Sequence, residues 1–165
     1  MMDILNYTKM MLPQIADGLK ITLQVFGLTL LFSIPLGILI ALCRLARFKV
    51  NILGQIANIY ILVMRGTPLL LQIIFIFFGL PNIGVKIDRM PSAILAFTLN
   101  YAAYFAEIFR AGIQSVDDGQ NEAAEVLGLS KINTFFRIIL PQAFKRVLPP
   151  VGNEIVTLIK DTALV

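Results

Sequence analysis

Long apolar runs separated by short polar breaks set out the elements of this chain. Ile21 to Cys43 carries no charged residue, and a helix crossing a ~30 Å hydrocarbon core needs roughly 20 residues. That run is the first expected transmembrane helix. It is too long for a signal-peptide core and is followed by Arg44, Arg47 and Lys49 rather than a small-residue cleavage site, so it is expected to stay in the protein. The segment before it, 1–20, mixes Met, Ile and Leu with Asp3, Lys9, Asp17 and Lys20, the pattern of a short interfacial helix.

From Asn51 to Leu80 the chain is largely apolar with a single charge, Arg65, and Gly66-Thr67-Pro68 follows at once. Proline lacks the amide hydrogen that a helix interior needs, so a second, broken span is expected. Gly79 to Gly84, then Lys86, Asp88 and Arg89, read as an extramembrane loop. Pro91 suits the first turn of a third helix running to about Gly112. Asn100, Tyr104, Glu107 and Ala111 fall on one face of it, with Glu107 turned inward. Ile132 to Leu148 and Val151 to Val165 form a further apolar stretch, interrupted by Pro141 and Pro149-Pro150. It carries Lys145, Arg146, Glu154, Lys160 and Asp161, so it is expected to be bent and buried among other helices, with the last three in an internal ion-pair network. The fold class is therefore all-α, a polytopic integral membrane helical bundle with about four spans.

Between the third and fourth spans lies a polar segment, 113–131. Ser115, Asp117 and Asp118 precede a helix-forming run from about Gln120 to Leu127, where early acids suit the positive end of the helix dipole. Gly128 is placed for a left-handed cap and Ser130 for the start of the next helix. Ala123 and Ala124 would allow a partner surface to approach closely. On pattern alone this is either a docking helix or an ordinary interhelical loop that happens to be helical.

Composition agrees with a membrane protein: 58% of residues are apolar and 15% charged, against about 25% charged in soluble domains, and mean hydropathy is +0.82. Cys43 is the single cysteine, and histidine and tryptophan do not occur, which excludes an internal disulfide and any histidine base or metal site. No catalytic residue, metal or cofactor is expected. The net charge of +4 sits beside apolar segments, where orientation in a bilayer explains it, so nucleic acid is not an expected partner. The first loop carries three basic residues, Arg44, Arg47 and Lys49. The loop after the third helix carries Arg110, Lys131 and Arg137, with Lys145 and Arg146 just beyond, whereas the intervening loop has Lys86 and Arg89. The more basic loops belong in the cytoplasm, which puts the N-terminus outside.

Several motifs recur in a fixed order: Arg65-Gly66-Thr67-Pro68-Leu69-Leu70-Leu71-Gln72, Ala103-Tyr104-Phe105-Ala106-Glu107-Ile108-Phe109-Arg110-Ala111-Gly112, then Glu122-Ala123-Ala124 with Gly128, Leu140-Pro141-Gln142-Ala143 and Lys160-Asp161-Thr162. Over nearly its whole length the chain resembles the permease subunits of polar amino acid ABC importers of the histidine, glutamine and arginine type. The resemblance implies a single transmembrane permease domain, 1–165, in which Glu122, Ala123, Ala124 and Gly128 form a cytoplasmic coupling loop. It implies as partners cytoplasmic ABC ATPase subunits, a second permease subunit in a homo- or heterodimer, an extracytoplasmic amino-acid-binding protein and the lipid bilayer of the cell (plasma or inner) membrane. Such permeases continue past Lys-Asp-Thr into another helix, so the chain is expected to be C-terminally incomplete. No Gly-x-x-x-x-Gly-Lys-Ser/Thr loop is present, so ATP hydrolysis is expected in a partner and this chain is not an enzyme.

Four residues are candidates for the substrate path: Arg65, Asn100, Tyr104 and Glu107. Each also has a structural reading. Arg65 either binds a substrate carboxylate or pairs with backbone carbonyls or an acid to hold the break, and Asn100 and Tyr104 either reach substrate or bond neighbouring helices. Glu107 either lines the path or is neutralised as scaffold by Arg110 one turn along. Two other classes remain, a proton-coupled secondary transporter using Glu107 as a relay and a non-transporting membrane scaffold.

Overall fold

The computed structural model describes residues 2–45 and 52–165, with side chains from Lys9 onward except Met10. Met1, Arg47, Lys49 and Asn51, and the side chain of Asp3, lie outside the described residues. Seven α-helices follow one another, α1 (Met2–Leu45), α2 (Ile52–Gly66), α3 (Leu69–Ile74), α4 (Arg89–Gln114), α5 (Gly119–Val126), α6 (Lys131–Thr134) and α7 (Leu140–Asp161), and no strand occurs among the described residues. The helices α1 and α4 are each long and apolar enough to cross a membrane. The pair α2 and α3, bent by 106° at the break and extended by a π turn and a 3-10 turn to Ile83, is long and apolar enough for a third crossing if it forms one broken span.

The interfacial helix expected over 1–20 is not a separate element. α1 runs through Lys20 into the first span without a break, 44 residues in all, or about 66 Å at 1.5 Å per residue. Nothing between Asp17 and Ile21 removes a backbone donor, so the helix has no reason to stop.

α4 is the central element, with Ala93, Ala96, Phe97, Tyr101, Ala102, Ala103, Phe105 and Ala106 buried. Its aromatic side packs with Val25 and Leu158, and its alanine side with Ile61. α1 runs parallel to it: Gly37 lies against Ala102, Phe105 and Ala106, and Arg44 reaches Glu107. A Cβ on Gly37 would stand 2.8 Å from Cβ of Phe105 and 3.1 Å from the Ala102 carbonyl oxygen and the Ala106 amide nitrogen. Small residues thus set the helix spacing, and close packing replaces the solvent-driven burial that lipid does not supply. The outward leucines and phenylalanines, such as Leu31, Leu39, Leu62, Phe75 and Phe78, are left for lipid.

The last stretch differs from its expected form. Pro149 and Pro150 lie inside α7 and do not end it. A membrane helix tolerates such freed carbonyls when neighbours can satisfy them. The irregularity falls instead at Phe135–Ile139, a π turn that ends two residues before Pro141, which has no amide hydrogen to give the Arg137 carbonyl. Nor is α7 buried among helices here: Ala143, Val147 and Leu158 are its buried residues.

Candidate functional site: a cavity at the helix break and a capped polar helix

The break between α2 and α3 is built by its own side chains. Pro68 ends the amide ladder, and Thr67 turns its hydroxyl back to the Val63 carbonyl (2.8 Å). The freed Met64 carbonyl accepts two side-chain amides, Gln72 Nε2 and Asn100 Nδ2, each at 2.9 Å. Gln72 also donates to the Thr67 hydroxyl (2.8 Å) and accepts from Asn100 (3.2 Å). Asn100 is thereby a bridge between α4 and the break.

Beside the break is a cavity of about 560 Å³, lined among others by Arg65, Thr67, Asn100, Tyr104, Glu154 and Asp161. Arg65 lies over the Tyr104 ring, 5.0 Å from its centroid, an attraction between the cation and the ring face. Asp161 accepts from the Tyr101 hydroxyl at 2.7 Å. Three of the four path candidates, Arg65, Asn100 and Tyr104, therefore meet here, and Glu107 does not line this space. The expected ion-pair network of Glu154, Lys160 and Asp161 does not form among the described residues. Glu154 and Asp161 instead face the cavity with Thr157, and Lys160 is exposed. Their spacing, 154, 157 and 161, is that of one helix face, and this was the available signal.

Glu107 lies toward the other end of α4, paired with Arg44 of α1 and with Arg110 one turn along. Arg110 Nε donates to Glu107 Oε2 at 3.2 Å, and another of its nitrogens donates to the Gln114 side chain. These are the ion pairs present among the described residues.

The polar segment 113–131 folds much as its residues dictate. The Asp117 carboxylate accepts the Gly119 amide at 2.7 Å, starting α5. Gly128 takes φ +73°, its amide donates to Glu125 (2.9 Å), and that of Leu129 donates to Ala124 (3.0 Å). Those two bonds make the left-handed cap that favours glycine. Ser130 accepts from the Asn133 amide at 3.4 Å and so caps α6. The two alanines part company: Ala124 is buried within the chain, whereas Glu122 and Ala123 are exposed. Beside them Val126 is 88% and Leu127 76% exposed, an apolar patch outside the expected set Glu122, Ala123, Ala124 and Gly128.

Residues 33–165 match the family described as the binding-protein-dependent transport system inner membrane component. The arginine transport system permease protein ArtQ of Bacillus subtilis (strain 168) is 43% identical over 155 residues, 93% of this chain and 70% of its own length. The L-cystine transport system permease protein TcyB of the same organism is 42% identical over 92% of this chain and 64% of its own length. Thus the chain spans about two thirds of the length of these relatives. A crystal structure of an amino acid ABC transporter with histidines superposes at TM-score 0.87, with 38% identity over 99% of this chain and 73% of that one. The chain belongs to the binding-protein-dependent transport system inner membrane components, helical membrane permeases of ABC transporters.

Proposed function

We propose that this chain is the permease subunit of an ATP-driven amino acid importer that passes cationic amino acids, and that Arg65, Asn100, Tyr104, Glu154 and Asp161 line its path. The observation that carries this reading is the charge pattern around the cavity: one cation, Arg65, and two carboxylates, Glu154 and Asp161. A cationic amino acid presents the complement, one carboxylate and two positive groups. Charges held within a membrane bundle need such partners or a pathway role. ArtQ, an arginine permease by name, is among the relatives.

Energy enters at the coupling helix, with Glu122, Ala123, Val126 and Leu127 presented to a cytoplasmic ATPase subunit. An exposed apolar patch beside polar groups, on a short helix outside the spans, has the makeup of a protein interface. The exposed polar residues of α7, Lys145, Arg146, Asn153 and Lys160, support contact with a further protein surface, including a second permease subunit. An external binding protein delivers substrate, and the N-terminus faces outside. Motion then follows as rigid-body alternating access.

The test is uptake of labelled amino acids by the complete transporter in proteoliposomes. With Glu154→Gln or Asp161→Asn, uptake of a cationic amino acid is expected to fall by about tenfold or more, the loss of roughly 1.4 kcal/mol, with uptake of a neutral one changing far less. Equal loss for both would remove the charge assignment, and absence of ATP-driven uptake in the wild type would remove the transport reading.

A further inference from the structure

The Glu107 cluster is outside the cavity, and one of its members is more than charge balance requires. Arg110 already neutralises Glu107 on the same helix. Arg44 adds a second cation from another helix, with only 18% of its side chain exposed. It sits in the last turn of α1, level with the end of α4 from which the coupling loop departs.

From there a series of polar contacts leads into that loop. Glu107 bonds Arg110, and Arg110 bonds Gln114, the final residue of α4. The next carbonyl, that of Ser115, accepts from Arg146 of α7, and Gln142 of α7 donates to Gln120 of α5 at 3.2 Å. Arg44 and Gln114 also border one groove, of about 1370 Å³, with Asp118, Glu122 and Glu125 of the coupling segment. Deeper in the bundle the buried hydroxyls of Thr29, Ser33 and Thr98 have no hydrogen-bond partner, so packing rather than directional bonding holds that part of α1 and α4.

We infer that Arg44 and Glu107 are positioning residues for energy coupling: their ion pair fixes the cytoplasmic end of α1 to α4 beside the coupling loop, so that displacement of α5 reaches α1 together with α4 and α7. The inference rests on the importer reading above. Losing the pair leaves ATP hydrolysis running while less substrate moves per ATP.

The experiment measures substrate transported per ATP hydrolysed by the complete transporter, with its ATPase and binding protein, in proteoliposomes. Arg44→Gln and Glu107→Gln are each expected to lower that ratio by about fivefold or more, the low end of coupling between sites, with hydrolysis continuing. Arg44→Lys, which keeps the charge, is expected to retain more than half of it. An unchanged ratio in both Gln variants overturns the inference, including the case where uptake and hydrolysis fall in step. If Arg44→Gln does not assemble, Glu107→Gln decides alone, and if neither assembles the pair is a folding contact and the inference fails. Wild-type protein without ATP-driven uptake would instead refute the importer reading, which separates the two.

Discussion

Two glycines carry opposite demands, one on backbone conformation and one on space. At Gly128 a Cβ would meet nothing within 4 Å, yet φ is +73°. A valine there costs only the left-handed conformation, roughly 1–2 kcal/mol. Gly128→Val is therefore expected to lower the melting temperature of the purified protein by only a few degrees and to reduce substrate-stimulated ATPase activity of the complex by tilting α5. Full stimulation in that variant would detach the coupling helix from ATPase docking. At Gly37 the backbone is ordinary and the space is absent, with Phe105 and the α4 backbone 2.8–3.1 Å from the missing Cβ. Gly37→Leu is expected to destabilise the α1–α4 pair by about 1–3 kcal/mol, the cost of overpacking. Thermal unfolding in detergent reads this directly, and a wild-type midpoint would mean that the two helices are not held at this spacing.

At the scale of elements, the break between α2 and α3 stands on one carbonyl with two donors, Gln72 and Asn100 on Met64. Each donor can partly cover for the other. Asn100→Leu and Gln72→Leu are each expected to cost about 1–3 kcal/mol of stability, and the double variant to cost more than their sum by at least about 0.5 kcal/mol. A strictly additive double variant would show that the two amides do not share a task. The break was legible in the sequence because Pro68 lacks an amide hydrogen wherever it lies. The same rule misled at Pro149-Pro150, where α7 continues, since whether a freed carbonyl ends a helix depends on neighbours that no local pattern names. Arg65, Asn100 and Tyr104 were readable as candidates because polar residues in a span need a reason. Glu154 and Asp161 were read as partners of Lys160, because their charge was visible and the cavity they share with Arg65 was not.

At the scale of the molecule, the two ends of the bundle differ in what they expose, and this yields a test of orientation. The loop between α3 and α4 presents Ile83, 74% exposed, beside Gly84 in a left-handed turn. The opposite end carries Arg44, the Glu107 cluster and α5 with Val126 fully in the open at 88% exposure. The proposed orientation, with α5 in the cytoplasm, rests on the excess of basic residues near α5 over those near Ile83. The chain's native thiol, Cys43, lies in the last turns of α1, so the test uses a Cys43→Ser background. In intact cells, a membrane-impermeant maleimide is expected to label Ile83→Cys from outside and to leave Val126→Cys untouched until the membrane is opened. Both positions are exposed enough for their labelling to report on side rather than burial. Co-expressing the ATPase subunit should then slow labelling of Val126→Cys in opened membranes, because the same patch becomes covered, with no change at Ile83→Cys. Labelling of Val126→Cys in intact cells would invert the topology, and with it the assignment of α5 to a cytoplasmic partner.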